Sequence, residues 1–426
     1  MQSKKPFSAG KPTFVIFITL LLASAIVPTQ AHAQKFKLLH TFHGPNGNGP
    51  VGVLNRDSAG NLYGTTSNGG VGKCGKINCG TAFKLDKTGR QSWLHSFKGG
   101  NGNDPFAGLR RDSAGNLYGT TAFGGGTRCN NSLGCGTVFK LDALGKETVL
   151  YKFTGQPDGN IPASLLVRDS EGNLYGTTGS GGANDLGSIF KVAKTGEETV
   201  LYNFTGGSDG CFPEAGVIRD AVGNLYGVAF QGGVGFCNSG YGVVYELDTA
   251  GTLTVLHSFG GGDGAYPVSV LLFDQAGNLY GTTEEGGNSN CGGTGCGVVF
   301  ELSPQSDGTW TEAVLYEFCS VSGCTDGEGP QFGPLVRDPA GNIYGTTIFG
   351  GAFRNCNGGT CGVVFKLDSA GKETVIHSFT GGADGADPRA GLIRDAAGNL
   401  YGTAQTSGDN ACNPPSGCGT VFKIVP

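Results

Sequence analysis

Residues 112–121 read Asp-Ser-Ala-Gly-Asn-Leu-Tyr-Gly-Thr-Thr, and the fold is decided by how often this phrase returns. Its core, D-x-x-G-N-[LI]-Y-G, occurs seven times, with its asparagine at Asn61, Asn116, Asn173, Asn224, Asn278, Asn342 and Asn399. Seven copies of an eight-residue pattern at near-regular spacing are an internal repeat, which takes precedence over any local reading. Around the phrase, the second copy holds four short runs rich in Val, Leu, Phe, Tyr and Thr. They are Gly108–Arg111, Asn116–Thr121, Gly136–Leu141 and Glu147–Phe153, here called strands a to d. Each is bounded by Gly, Asn or Asp, as strands are. Between a and b, Asp112 and Gly115 suit a type I turn closing into a glycine bulge.

Four antiparallel strands repeated seven times, with nothing helical between them, predict an all-β, seven-bladed β-propeller. The chain ends agree. The last copy stops after strand c, near Val425, and Lys37-Leu38-Leu39-His40-Thr41-Phe42 supplies the missing strand d. The N-terminal strand is therefore expected to close the seventh blade and remove the open edges of a linear array.

Composition fits this reading. Glycine makes up 80 of the 426 residues, and only 15% are charged. Twenty-six Phe and 13 Tyr supply an apolar core, which argues against disorder. Residues 1–33 resemble a secretory signal: Lys4, Lys5 and Lys11, an apolar run from Phe14 to Val27, then Ala31-His32-Ala33. That run is shorter than the ~20 residues of a membrane span. The expected product is residues 34–426, a single propeller domain, secreted or periplasmic and monomeric, with no membrane span. Losing three lysines takes the formal charge from −5 to −8. An acidic surface without basic stripes excludes nucleic acid as the natural partner.

All 14 cysteines follow the cleavage site and fall in the variable loops between strands. Five close pairs occupy equivalent loops: Cys74/Cys79, Cys129/Cys135, Cys291/Cys296, Cys356/Cys361 and Cys412/Cys418. Cys319/Cys324 forms a sixth pair elsewhere, leaving Cys211 and Cys237. An even count in an exported chain reads as disulfides, with sequence-neighbour pairing the simplest of many connectivities. The spacing is C-x4-C or C-x5-C and no His accompanies it, which disfavours a zinc thiolate site.

The phrase D-x-x-G-N-L-Y-G-T-T with G-x-V-F-K-L-D resembles the Gloeo/Verruco tandem repeat of exported bacterial proteins, and NHL-type propeller repeats in strand order. The resemblance spans roughly residues 36–426. It implies an exported repeat protein and carries no activity to transfer. Members often bear a C-terminal sorting anchor, which is not expected here because the chain stops at Pro426.

Comparing the seven copies separates framework from variation. Tyr of strand b and Phe of strand d recur in every copy, and an aromatic recurs in strand c, so these rings are expected between blades. His40, His95, His257 and His377 alternate with Tyr151, Tyr202 and Tyr316 two residues before the strand-d Phe, a structural pattern that leaves no obvious general base. An Arg-Asp pair ends strand a in six copies, and the Arg is expected to pair locally. The d-to-a connection always carries Asx-Gly, at Asn46, Asn101, Asp158, Asp209, Asp263, Asp326 and Asp384. This predicts a turn, with Ca²⁺ coordination as the sharper alternative. The copies differ most around the proline that follows: Asp104 and Phe106, Phe212 and Glu214, Tyr266, Gln331 and Phe332, Asp387 and Arg389. Carboxylates beside aromatic rings at the channel mouth suit a glycan, a small ligand or a protein. The expected role is a non-catalytic extracellular binding or scaffold module. The alternative is a lactonase, lyase or glycan hydrolase using Asp104, Glu214 and Asp387 as acids and bases.

Overall fold

The computed structural model of the chain describes residues 34–426, except 75–77, 127–128, 130–132, 289–290, 292, 357–358, 413 and 426; before Gln34 it describes only 1–3 and 10. The expected signal segment therefore lies outside the described residues. Gln34–Pro426 forms one compact unit. It is all-β, with seven antiparallel sheets arranged as a propeller.

In the second blade the strands are Arg110–Arg111, Leu117–Thr121, Thr137–Leu141 and Glu147–Lys152, running from the channel outward. The innermost strand is shorter than the expected Gly108–Arg111, because the residues before it pair with no strand and line the channel instead. Blade five departs from the four-strand plan. Ala265–Pro267 adds a short strand, with Ala265 opposite Glu285. Lys35–Thr41 pairs antiparallel with Thr420–Val425 and closes the seventh blade, Phe36 opposite Ile424 and Thr41 opposite Thr420.

Every outer strand pair carries a β-bulge, as between Val138 and Phe139. A bulge increases local twist and re-aims the residues beyond it. The strand-d Phe that follows is fully buried and meets the strand-c aromatic of the next blade edge-on. Phe42 to Phe83, Phe97 to Phe139, Phe204 to Tyr245 and Phe379 to Phe422 lie 5.1, 5.0, 5.4 and 5.3 Å apart. The other three junctions repeat the contact. Such pairs contribute ~0.5–1.5 kcal/mol each beyond area burial.

The glycine of G-N-L-Y-G is the seat for these rings. A Cβ at Gly119 would stand 2.7 Å from Phe139, one at Gly281 2.5 Å from Phe300, and one at Gly402 2.6 Å from Phe422. Only a residue without a side chain admits the ring across the ladder.

The turn reading of the repeat also holds. Asp112 Oδ1 accepts the Asn116 N–H at 2.8 Å, and its Oδ2 accepts the Asn116 amide and the Tyr118 hydroxyl. The expectation of local Arg pairing is corrected. Arg111 lies over the ring of Tyr63 in the preceding blade at 5.7 Å, and Arg56 over Tyr401 at 5.6 Å, across the closure. The turn Asp has already committed its oxygens to Asn and Tyr, so the guanidinium reaches the next π-face and its carboxylate. Arg337 lies 3.8 Å from Asp274 in this way. Where copy five replaces Arg by Phe273, that ring packs edge-on against Tyr226 at 5.0 Å.

All seven disulfides form, between sequence neighbours: Cys74–Cys79, Cys129–Cys135, Cys211–Cys237, Cys291–Cys296, Cys319–Cys324, Cys356–Cys361 and Cys412–Cys418. They favour an oxidising environment. They lie in the loops between strands, but one half of each repeated pair is buried there. Cys79, Cys135, Cys361 and Cys418 are wholly buried, as is Cys211, and Cys296 is nearly so. These second cysteines belong to the core between blades: Cys135 packs in the cluster of Phe153, Cys361 in that of Phe379, and Cys418 in that of Phe42. The physical reason is that each lies one residue before the glycine that leads into strand c, where the chain has already turned inward. A disulfide sulfur is apolar enough to be buried there. Each bridge thus ties a loop residue, such as Cys129, Cys356 or Cys412, to a framework residue.

Candidate functional site at the channel mouth

Each blade is entered through a residue-Pro step. The residue before the proline is Gly49, Asp104, Ile161, Phe212, Tyr266, Gly329 and Asp387 in turn. All seven have positive φ, and the five non-glycine residues cluster tightly: Asp104 58°, Ile161 58°, Phe212 56°, Tyr266 58° and Asp387 54°. Left-handed backbone costs a non-glycine residue ~1–3 kcal/mol and persists only where neighbours over-determine it. Here two hydrogen bonds do so. The Asp104 N–H donates to the Cys79 carbonyl of the preceding blade at 3.1 Å, and its own carbonyl accepts the Ala122 N–H at 2.9 Å. The same pair of bonds recurs at Gly49, Ile161, Phe212, Gly329 and Asp387. The carbonyl that receives the first bond belongs to Cys418, Cys135, Leu186, Cys296 and Cys361 respectively. The buried cysteines therefore hold the mouth of the next blade in place through their backbone. In blade five this stretch is regular enough to become the added strand.

The inner segments after the prolines wall a narrow cavity of about 30 Å³, lined by residues such as Val51, Ala107, Leu165, Ala215, Val270 and Ala390. That is room for a water or two. Blade six runs one residue longer between Pro330 and Leu335 than blade two does between Pro105 and Leu109. The extra residue carries Phe332 against Phe106 from a blade three places away, 5.5 Å between ring centres. These two rings meet across the channel and help to wall the small cavity.

The polar groups at the mouth are largely buried. Burial pushes the Asp104 carboxyl up to about 6. Burial also raises Glu214, with a further push from the charge of Glu284. Glu284 is itself raised by burial, while its bond from the Gln331 amide and the nearby Arg389 pull it back. Asp387 is raised by burial and held back by the Thr406 hydroxyl, which donates to its Oδ2 at 2.8 Å, and by Arg389. Four buried polar atoms here have no hydrogen-bond partner among the described residues: Asp104 Oδ1, Asp387 Oδ1, Gln331 Oε1 and Arg389 Nε.

Two parts of the mouth thus differ. Glu214, Glu284, Gln331, Arg389 and Asp387 form a polar arc over blades four to seven. Phe212 and Tyr266 occupy pre-proline positions inside that arc. Tyr266 stacks on Phe230 at 4.9 Å and faces Tyr241 at 6.5 Å. Beside them opens a cavity of about 340 Å³, lined by Tyr241, Tyr266, Glu285 and glycine backbone at 260–262. Asp104 stands apart: no neighbouring charge contributes to its shift, which is due to burial alone. Of the three expected acids, only Glu214 has another acid among the causes of its shift. Glu214 is coupled to Glu284, a residue that sequence reasoning missed. Its signal was present. The position two residues after the Thr or Val that follows G-N-[LI]-Y-G reads Ser67, Ala122, Gly179, Phe230, Glu284, Ile348 and Gln405 across the copies, as variable as the proline-flanking positions.

The Asx-Gly carboxylates serve the d-to-a turn. Asp158 accepts the Thr154 N–H at 3.0 Å and the Tyr151 hydroxyl at 2.7 Å, and His377 meets Asp384 at 3.0 Å. Tyr151, Tyr202, Tyr316, His95, His257 and His377 each bond the Asx of the following turn, which explains the alternation of His with Tyr at six of the seven junctions.

Fold and site together define a closed seven-bladed propeller with a narrow channel and a variable mouth. The chain belongs to the Gloeobacter/Verrucomicrobia repeat family, whose model matches residues 24–235, 73–295 and 292–426. Among curated proteins no sequence matches it. Virginiamycin B lyase from Staphylococcus aureus is similar in structure, with TM-score 0.58 and 12% identity over 92% of this chain and 100% of that one. A fungal alcohol oxidase of the AA5 family, in complex with copper, is similar with TM-score 0.54 and 16% identity over 92% and 77%. At such identities the likeness concerns the fold alone.

Proposed function

We propose that the protein is a secreted or periplasmic binding propeller that recognises carbohydrate at its mouth without transforming it. The observation that carries this reading is the group of partnerless buried atoms at the mouth, acceptors on Asp104, Asp387 and Gln331 and a donor on Arg389. Each costs ~1–3 kcal/mol unless water or a ligand satisfies it. A ligand meeting both kinds of group must donate and accept, which vicinal hydroxyls do. The rings of Tyr266 and Tyr241 add apolar faces beside a cavity within the ~300–1,000 Å³ range of ligand pockets. Disulfides on every blade but the third suit life outside the cytoplasm, and the closed ring suits a monomer.

Glycan-array screening of the oxidised protein, followed by calorimetry on any hit, tests the proposal. Tyr241→Ala and Gln331→Ala should each weaken binding at least tenfold with the fold intact. Absence of any glycan hit, or full affinity in both variants, would overturn it.

A glycan hydrolase is the second reading, favoured by one observation: Glu214 and Glu284 are both carboxyls raised by burial, and the charge of Glu284 adds to the rise of Glu214. Products released from a bound glycan, and lost in Glu214→Gln, would replace binding by hydrolysis.

A further inference from the structure

The seven blade junctions can be compared position by position. At each, three residues hold equivalent places: the strand-d His or Tyr, the Asx of the following turn, and an early residue of the next strand d. That third residue is Gln91, Glu147, Glu198, Leu253, Glu312, Glu373 and Phe36 in turn. Between blades one and two, His95 and Glu147 share a neutral Asn101, whose amide donates to the glutamate. At two others the glutamate faces Asp beside a phenol, Tyr151 with Asp158 and Tyr316 with Asp326. At His377 the third partner is the ring of Phe36, stacked at 4.1 Å.

Only the junction of blades four and five joins an imidazole to two carboxylates, among the described residues. His257 Nε2 stands 3.0 Å from Asp263 Oδ2, and a carboxylate oxygen of Glu312 completes a set in which all donors lie within 4.8 Å of one another. Asp263 is oriented by its other oxygen, which accepts the Gly260 N–H at 2.8 Å. The imidazole is fixed edge-on against Phe259, 4.7 Å between ring centres. Glu312 Oε1 is buried and has no hydrogen-bond partner among the described residues, as is true of the equivalent oxygens of Glu147, Glu198 and Glu373, so it is the imidazole beside two carboxylates that sets this junction apart. The Asp263 side chain is 30% exposed, so an ion has a path from solvent.

We propose that His257, Asp263 and Glu312 bind a divalent transition-metal ion, Zn²⁺ in the first instance, pinning blade four to blade five. One nitrogen and two carboxylate oxygens are a ligand set zinc accepts at ~2.0–2.2 Å, leaving a fourth position for water. Donors on one tetrahedral zinc stand roughly 3.4 Å apart, close to the separation that His257 and Asp263 already hold. Hard calcium, which takes six or more oxygens, is less suited to an imidazole. This site lies at the blade junction and does not depend on the carbohydrate reading.

The neighbouring junctions supply the test, since they show that Tyr replaces His there without loss of fold. Untagged, oxidised protein is titrated with Zn²⁺ by calorimetry, and bound metal is counted after dialysis. The native chain should bind one Zn²⁺, and His257→Tyr and Glu312→Gln should each weaken binding at least tenfold. His377→Tyr, altering an equivalent junction without a glutamate, should bind as the native chain does. Melting in EDTA, unchanged across the variants, separates loss of a ligand from loss of fold. Native protein that takes up no zinc at 100 μM, or His257→Tyr that binds as well as native, overturns the proposal.

Discussion

Glycine in this protein is placed by ring packing as much as by turn geometry. Gly281 has ordinary strand backbone, yet a methyl there would meet Phe300 at 2.5 Å and Leu271 at 3.0 Å. Phe300 is fully buried among the side chains of two blades and has no room to retreat. Gly281→Ala is therefore expected to destabilise by ~1–3 kcal/mol, the usual cost of overpacking. Chemical denaturation measures it. Gly262, which has open space around it and no left-handed backbone, is the control for overpacking. The same packing shows what could be read beforehand. The recurrence of Phe259 and Phe300 announced buried rings, but not that strand b yields a side chain to seat them. That required the register placing Gly281 opposite Phe300. Cysteine divides in the same way. Pairing was legible from spacing, whereas the burial of Cys135, Cys361 and Cys418 follows from which side of the loop turns into the core.

Strand d is the element through which neighbouring blades sense pH. Burial, and then the Asp158 carboxylate, push Glu198 up to about 7, and burial with Asp326 does the same to Glu373. In the unfolded chain both titrate near 4.5. The folded state thus holds protons that the unfolded state releases, and stability falls as pH rises between those values. The melting temperature should decline from pH 5 to pH 8. In the double variant Glu198→Gln, Glu373→Gln the decline should be shallower; an equal slope would show that other groups govern it. None of this coupling was visible in the repeat, because each glutamate feels an aspartate that follows strand d of the preceding blade. The Arg-Tyr contacts were hidden for the same reason. A repeat shows what recurs within a unit, while the offset between partners belongs to the ring. At the mouth, variation marked Asp104, Glu214 and Asp387, but distance in space decided that Glu284, on another blade, is the residue Glu214 feels.

For the molecule as a whole, the disulfides fasten the mouth face. Cys211–Cys237 spans 26 residues, and in the chain-entropy model a loop of that length contributes ~3.5 kcal/mol. Replacing both cysteines by Ser should lower stability by about that much, measured by denaturant titration against the oxidised parent, whereas the five-residue bridge Cys74–Cys79 should contribute nearer ~2 kcal/mol. Equal losses would show that loop length is not the governing quantity. The seam in blade seven has a different consequence. Phe42, wholly buried, follows directly on the first strand made, yet that strand's partner Thr420–Val425 is the last. During synthesis, that leading strand must wait, unmated, until Thr420–Val425 has been made. An unfinished molecule is an arc with a sticky rim at each end, and completeness of the polypeptide is checked by whether the arc can shut.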